Sequence, residues 1–353
     1  MNKKIFFFAG EQSADGLGAR LVSIAKKNNY DCIGIGGTLM ASSGLERIDT
    51  IDNFQIMGFL SVLKNFPTVI SNFFKIRSFI LKNKPDFVIF IDYPGLSLKL
   101  APSLKKKGFK GKIAQYVCPS IWAWKPHRKK ILENYFDILF TLFDFEAQLF
   151  TDSKLKAYWC GHPFALSQLE DNEKSHIIIY PGSRASVIKN NLPVQIEAAK
   201  LLMKDTNLPI GISCSSLKNL ELIKKITKNE LSIFSNGEEK KLTKVAIATS
   251  GTITLELALR SIPTAVTYKV PRIDGFIAKY FFGLNLPFYC IVNILLNKEI
   301  YKEFIGLSID PKKIHQYLKL QINTDFPSME FQKKVFNKNH DDIFLKALID
   351  SNL

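Results

Sequence analysis

Short runs of apolar residues alternate along the chain with longer stretches in which apolar positions recur at helical spacing. Residues 5–9 (IFFFA), 31–35, 87–91 (FVIFI), 112–117, 138–142 and 158–160 form a first series of such runs. Continuous apolar strands separated by helices, the first predicted over residues 15–27, indicate a parallel sheet covered on both faces. A polar stretch, residues 167–175 (SQLEDNEKS), interrupts the series, and the alternation restarts at residues 177–180, 209–213, 231–234, 245–248 and 264–268. The pattern predicts an α/β protein of two Rossmann-like, doubly wound domains, residues 1–167 and 168–325, with a helical tail over 326–353 that packs back on the first domain. Ligands of such sheets bind beyond the carboxyl ends of the strands. The expected active site is therefore a cleft that the two domains face.

Composition narrows the class. A chain of 353 residues with 46% hydrophobic and 23% charged positions has the profile of a globular protein with real cores, which excludes disorder, collagen and coiled coil. The net charge of +16, from 48 Lys and Arg against 32 Asp and Glu, points to an anionic partner: a nucleic acid, a membrane surface or a phosphorylated substrate. A general drift of composition toward Lys, Asn, Ile and Phe accounts for the excess equally well. Five cysteines (Cys32, Cys118, Cys160, Cys214 and Cys290) lie far apart with no C-x-x-C pair, and the five histidines show no ligand spacing. Neither a disulfide framework nor a metal site is predicted, and a reducing compartment is expected. The first apolar run, about six residues, is too short for a secretory signal and reads as a buried strand. The uncharged stretch 280–297 is broken by Gly283, Asn285, Pro287 and Asn293, which disqualifies it as a simple transmembrane helix.

Chemistry is concentrated where strands end. The first strand runs into Gly10, Glu11 and Ser13, small and polar residues that let the backbone turn and leave helix N–H groups for an anion or hydroxyl. An ordinary turn with Ser13 or Asp15 as N-cap fits as well. Asp92 follows FVIFI directly, so a carboxylate at the end of a buried strand is a candidate general base; a turn role beside Pro94 is the alternative. Ser120, Trp122 and Trp124 followed by a basic cluster that includes Arg128 could surround a sugar phosphate, or form an aromatic core corner with a solvated basic helix. In the second domain, Gly182-Ser183-Arg184 and Ser250-Gly251-Thr252 each follow a strand and open a helix, the geometry that holds phosphate on backbone amides. Arg184 can bind phosphate oxygens in bidentate fashion, and Glu256 could hold ribose hydroxyls. Residues 59–82 carry apolar positions at helical period with lysines between them, a pattern that suits an anionic membrane boundary or core packing, with Pro67 breaking any single long helix.

Taken together, AGEQSADGLGARL, GIGGTLM, PDFVIFIDYPG, YVCPSIWAWKPHR, FDFE, GHP, PGSR, SGTITLELAL, PTAVTYKV and NILLNKE resemble, in order and over roughly residues 5–305, the lipid-A-disaccharide synthases. These are inverting glycosyltransferases of the GT-B architecture. The resemblance implies transfer of the sugar of UDP-2,3-diacylglucosamine to 2,3-diacylglucosamine 1-phosphate (lipid X), giving the lipid A disaccharide phosphate and UDP, with no metal or organic cofactor expected. It implies UDP binding by Gly182, Ser183, Arg184, Ser250, Gly251, Thr252 and Glu256. Asn293 matches a family asparagine near the nucleotide, and Asp92 matches the family's proposed base. It further implies a cytoplasmic protein held peripherally on the inner face of a bacterial inner membrane, with an anionic membrane surface and no nucleic acid as partner. Whether the chain forms a homodimer with exchanged C-terminal elements is left open, because the tail after about residue 325 matches least well.

The chain departs from the family pattern at Ala14, Ser61, Gly95, Asp144, Val187 and Val292, while Asp92, Arg184, Ser250–Thr252, Glu256 and Asn293 are kept. An active but divergent enzyme is expected. The alternatives are another UDP-sugar-dependent GT-B enzyme and a non-catalytic relative that binds lipid at the membrane. A dehydrogenase fits least, because the first turn lacks the dinucleotide glycine spacing.

Overall fold

Phe6, Phe7 and Phe8 have no exposed surface, because β1 (Lys4–Ala9) lies at the centre of a sheet covered on both faces. The computed structural model describes residues 2–54, 66–122, 125–162, 174–214, 219–235, 237–270, 287–324, 335 and 339–351. The chain divides into two compact units, Met1–Leu166 with Val335–Leu353, and Ser167–Lys334. The polar stretch 167–175 falls mostly outside the described residues.

The first unit is built on a parallel sheet of order β3-β2-β1-β4-β5-β6-β7. Its further strands are β2 (Asp31–Gly36), β3 (Glu46–Thr50), β4 (Phe87–Ile91), β5 (Lys112–Tyr116), β6 (Ile138–Thr141) and β7 (Lys156–Trp159). Its helices are α1 (Gln12–Lys27), α2 (Thr38–Ser42), α3 (Phe66–Asn83), α4 (Pro94–Lys106), α5 (Arg128–Tyr135) and α6 (Asp144–Gln148). The second unit repeats the winding in a sheet of order β10-β9-β8-β11-β12-β13. It comprises β8 (His176–Tyr180), β9 (Ile210–Ser213), β10 (Ser232–Phe234), β11 (Thr243–Thr249), β12 (Thr264–Lys269) and β13 (Glu303–Gly306). Between them run α7 (Ala185–Thr206), α8 (Leu220–Thr227), α9 (Glu239–Leu242), α10 (Thr252–Leu259) and α11 (Ile291–Leu296), and α12 (Pro311–Gln321) follows. The closing helix α13 (His340–Asp350) belongs to the first unit, where Asp341 pairs with Arg20 of α1 at 2.8 Å and His340 Nε2 lies 2.7 Å from the Tyr116 hydroxyl.

Two strands carry no apolar run and were invisible to a search for one. β3 (ERIDT) is a sheet edge whose charged, partly exposed residues discourage further pairing. β13 (EFIG), the edge of the other sheet, is a partly exposed strand of four residues with only two apolar side chains. The start of α1 also differs from the expectation. The helix opens at Gln12 with Glu11 as N-cap, and neither Ser13 nor Asp15 caps it. Asp15 is buried and accepts instead from the backbone N–H groups of Gly37, Leu39 and Met40, so it serves the N-terminus of α2. Of the 59–82 segment, residues 59–65 lie outside the described residues; α3 begins at Phe66 with Pro67 in its first turn, where no intrahelical hydrogen bond is lost.

Candidate functional site

In each sheet the winding reverses at its centre, between β1 and β4 in the first unit and between β8 and β11 in the second, and ligands of such sheets gather at that switch point. Register then decides which residues meet. Ala9 pairs with Ile91, so Gly10 and Asp92 leave the sheet at the same level. Tyr180 pairs with Ala248, so the Gly182 and Ser250 turns do the same in the second unit.

At the first switch point Asp92 and Tyr93 both adopt left-handed backbone conformations, with φ of 54° and 57°. Such strain persists only where surrounding contacts over-determine it. Here the Asp92 N–H donates to the Tyr116 carbonyl at 2.8 Å, and Gln115 Nε2 donates to the Asp92 carbonyl at 3.0 Å. The Tyr93 hydroxyl donates to the Phe54 carbonyl at 2.6 Å. A Cβ on Gly10 would stand 2.7 Å from the Tyr93 ring, so the Gly10 turn and the Asp92 turn touch only because residue 10 is glycine. Burial, with a smaller contribution from the Glu11 charge, raises the Tyr93 phenol above its ordinary pKa, which places Glu11 beside the same turn. Ser13 is exposed on the first turn of α1.

After β5, Val117 is also left-handed, with φ of 75°, and its carbonyl accepts from Gln115 Nε2 at 3.2 Å. The segment continues through the half-buried Ser120 to Trp122, whose indole N–H donates to Glu146 Oε1 at 3.2 Å and whose ring meets Phe145 edge-on. Glu146 is 4% exposed, and burial pushes its carboxyl up to about 7 against the opposing hydrogen bonds. Neighbouring His162 is pushed down to about 4 by burial, so it is neutral. Trp124 lies outside the described residues. Arg128 opens α5 and is partly buried; burial, then the charges of Arg128 and Lys99, lower the Lys125 ammonium below its ordinary value. Three cations thus share one corner of the first unit.

In the second unit Gly182 has φ of 95°, a conformation glycine adopts without strain. Ser183 and Arg184 are exposed, Arg184 is the N-cap of the 22-residue α7, and the Ser183 carbonyl accepts from Asn219 at 2.7 Å. With Val187 at its third position, that helix start has no capping box. Ser250 donates its N–H to the Thr267 carbonyl at 3.1 Å and its hydroxyl to the Tyr289 carbonyl at 3.3 Å. Gly251 and Thr252 are exposed at the start of α10. Gln195 of α7 ties that helix to the ends of β11 and β12, its amide donating to Thr249 Oγ1 at 3.1 Å and Thr267 Oγ1 at 2.9 Å.

Two of the expected nucleotide residues are engaged by the chain itself. Glu256 is 8% exposed and pairs through one oxygen with Lys240 at 2.8 Å and through the other with Arg260 at 3.3 Å. Asn293 is fully buried. Its amide donates to the Tyr301 carbonyl and Glu303 Oε1 at 2.7 and 2.8 Å, and its oxygen accepts from the Ile300 and Tyr301 N–H groups at 2.9 Å. Every hydrogen-bonding function of that side chain is used to hold the loop between α11 and β13. Gln115, Glu146, Gln195 and Glu303 were not singled out from the sequence. A polar residue inside the apolar run KIAQYV was a signal for Gln115; periodicity offered none for the others.

Among the described residues no group of three His, Cys, Asp or Glu side chains is placed to hold a metal ion, and no helix is long and apolar enough to cross a membrane.

A family model described as lipid-A-disaccharide synthetase matches residues 5–346. The Chlamydia caviae protein named lipid-A-disaccharide synthase is 38% identical over 323 residues, which cover 85% of this chain and 51% of that protein. The protein of that name from Coxiella burnetii is 31% identical over 335 residues, covering 89% of this chain and 87% of its own. The chain spans about half the length of the chlamydial relatives it matches. Among solved structures, Methanocaldococcus jannaschii UDP-GlcNAc 2-epimerase in complex with UDP-GlcNAc and UDP aligns with a TM-score of 0.65 at 13% identity, covering 99% of both chains. Arabidopsis thaliana UGT89C1 aligns with a TM-score of 0.65 at 10% identity over 100% of both. These likenesses fix the fold as the two-domain Rossmann-like GT-B type.

Proposed function

The chain belongs to the lipid-A-disaccharide synthetase family, and from that premise we propose that it condenses UDP-2,3-diacylglucosamine with 2,3-diacylglucosamine 1-phosphate. The acceptor 6-hydroxyl attacks the anomeric carbon of the donor as Asp92 takes its proton. The bond to the UDP β-phosphate oxygen breaks, and its electron pair leaves with UDP, so the new linkage forms with inversion. The observation that carries the reading is the carboxylate of Asp92 at the β1/β4 switch point, on a left-handed backbone held by Tyr116 and Gln115. A general base must be aimed before substrate arrives, and a strained, hydrogen-bonded turn aims it.

The second unit takes the donor. The open turns Gly182-Ser183-Arg184 and Ser250-Gly251-Thr252 offer backbone N–H groups and a guanidinium to the diphosphate. Glu256 reaches ribose hydroxyls by exchanging its contact with Lys240, and Asn293 acts through the loop it fastens. The first unit takes the acceptor, with Gly10, Glu11, Ser13 and Ser120 about the sugar, Trp122 and Trp124 against its apolar faces, and Arg128 with Lys99 and Lys125 drawing its phosphate. α3 exposes Ile70 and Phe74, with Arg77 over the Phe74 ring at 4.7 Å. Apolar residues and cations on one exposed helix suit an anionic membrane surface, where acylated substrates reside.

The test is incubation of the protein with both substrates in detergent, with EDTA present, and mass spectrometry of the lipid products. Disaccharide phosphate is the expected product. UDP binding without product would move the assignment to another acceptor or to a non-catalytic relative, and the absence of both would remove the donor site.

A further inference from the structure

Glu303 lies on the edge strand β13, opposite Val266 of β12, and its carboxylate reaches back across the loop that precedes it. Oε1 accepts from the N–H groups of Tyr289 and Cys290 at 3.1 and 2.9 Å and from Asn293 Nδ2 at 2.8 Å, and Oε2 accepts from the Tyr289 N–H at 2.9 Å. Cys290 is the N-cap of α11, and its own N–H and that of Tyr289 lie just ahead of the helix, where Glu303 satisfies them. Asn293, held by the same carboxylate, binds Ile300 and Tyr301 and closes the loop from its other end. The Tyr289 peptide is thereby fixed, and its carbonyl accepts the hydroxyl of Ser250 in the exposed turn after β11.

We infer that Glu303 is a positioning residue for a nucleoside diphosphate: through Tyr289 it sets the orientation of Ser250. The inference rests on the reading of the Ser250 turn as the donor site. A phosphate oxygen entering that turn competes with the Tyr289 carbonyl for the Ser250 proton. The placement of the carbonyl therefore sets how readily the hydroxyl is handed over and where its oxygen stands when it is. Glu303 touches no ligand. It converts an edge strand into a fixed reference for Ser250, and it does so with three donors on its carboxylate, the Tyr289 N–H shared between both oxygens; such charge-assisted hydrogen bonds hold geometry more firmly than neutral ones.

The experiment is a double-mutant cycle on UDP affinity, measured by calorimetry, with Glu303→Gln, Ser250→Ala and the double variant, and thermal unfolding alongside. Glu303→Gln is expected to weaken UDP binding about tenfold and to raise the donor KM with kcat within about twofold. On the Ser250→Ala background the same change should add less than about twofold, because the path it acts through is gone. Unchanged UDP affinity in Glu303→Gln overturns the inference, and so does a full tenfold loss in both backgrounds, which would mean general loosening. If Glu303→Gln does not fold, Glu303→Asp, which keeps the charge but shortens the reach, enters the cycle with the same two readings. Wild-type protein that binds no UDP overturns the donor site and this inference together, whereas wild-type binding with an indifferent Glu303 overturns the inference alone.

Discussion

The two switch points have the same topology and opposite construction. At the β8/β11 point, the sharp turn is made by Gly182, and the exposed groups that remain are backbone amides, hydroxyls and a guanidinium. At the β1/β4 point, Asp92, Tyr93 and nearby Val117 occupy left-handed conformations that cost about 1–3 kcal/mol each, held by Gln115, Tyr116 and Phe54. Binding a diphosphate needs donors that converge on a broad anion, and an unstrained glycine turn supplies them. Aiming one carboxylate at one hydroxyl needs a side chain in a fixed direction, which glycine cannot offer. On the proposed reading, the difference is that between a surface that binds and a group that reacts.

The comparison breaks first at Asp92. Asp92→Ala should lower turnover by at least about a hundredfold, as for loss of a general base, while UDP affinity stays within about twofold of wild type. Single-turnover rates and UDP calorimetry on the same preparation check both halves, and near-normal turnover would remove Asp92 from the mechanism. The complementary variant is Arg184→Ala. It should weaken UDP binding by about 1.5–3 kcal/mol, the loss of a charge-assisted contact, with little change in the rate of the bound complex. Equal UDP affinity would place the donor away from the α7 start.

How much of this was legible in the sequence follows the same division. The buried strands announced themselves as apolar runs, and the turns after them as Gly, Ser and Thr before a helix. Edge strands β3 and β13 did not, because β3 is protected by charge and β13 is too short and too exposed to carry an apolar run. Asp92 was visible because it abuts FVIFI. That its backbone is left-handed was not, since the conformation is imposed by Gln115 and Tyr116 from the next strand. The resemblance matches Asn293 to a family asparagine near the nucleotide, and the structure adds that its amide is spent on Ile300, Tyr301 and Glu303. A motif reports that a residue matters, and only its hydrogen bonds report to what.

A third test concerns the buried carboxyl that the first unit carries beside Trp122. Glu146 ordinarily titrates near 4.5 and is raised to about 7, so the folded state holds its proton more tightly than the unfolded chain does. Its stabilising contribution is fully present below pH 4.5 and is lost as pH rises through 7, by up to about 3 kcal/mol. Glu146→Gln does not titrate, so its stability relative to wild type should grow across that window and level off above it. Urea unfolding of both proteins at pH 5, 6, 7 and 8 reads the difference. Parallel curves would mean that the carboxylate is solvated after all.

The smallest effect is the sharpest on the comparison itself. Val117 is β-branched and left-handed, a pairing that is unfavourable in isolation, and its side chain is only half-buried. Val117→Gly removes the strain but gives the unfolded chain more freedom, two effects of about 1 kcal/mol with opposite sign. Stability should therefore move by less than about 1 kcal/mol, while turnover falls several-fold because the segment through Trp122 is no longer aimed. At the other switch point Gly182→Ala acquires a Cβ 3.2 Å from Val187 at φ of 95° and should lose about 1–2 kcal/mol. A Val117→Gly cost above about 2 kcal/mol would show that packing of the valine, not an imposed backbone, shapes the first unit's turn. The two switch points would then differ in sequence alone and not in how they are built.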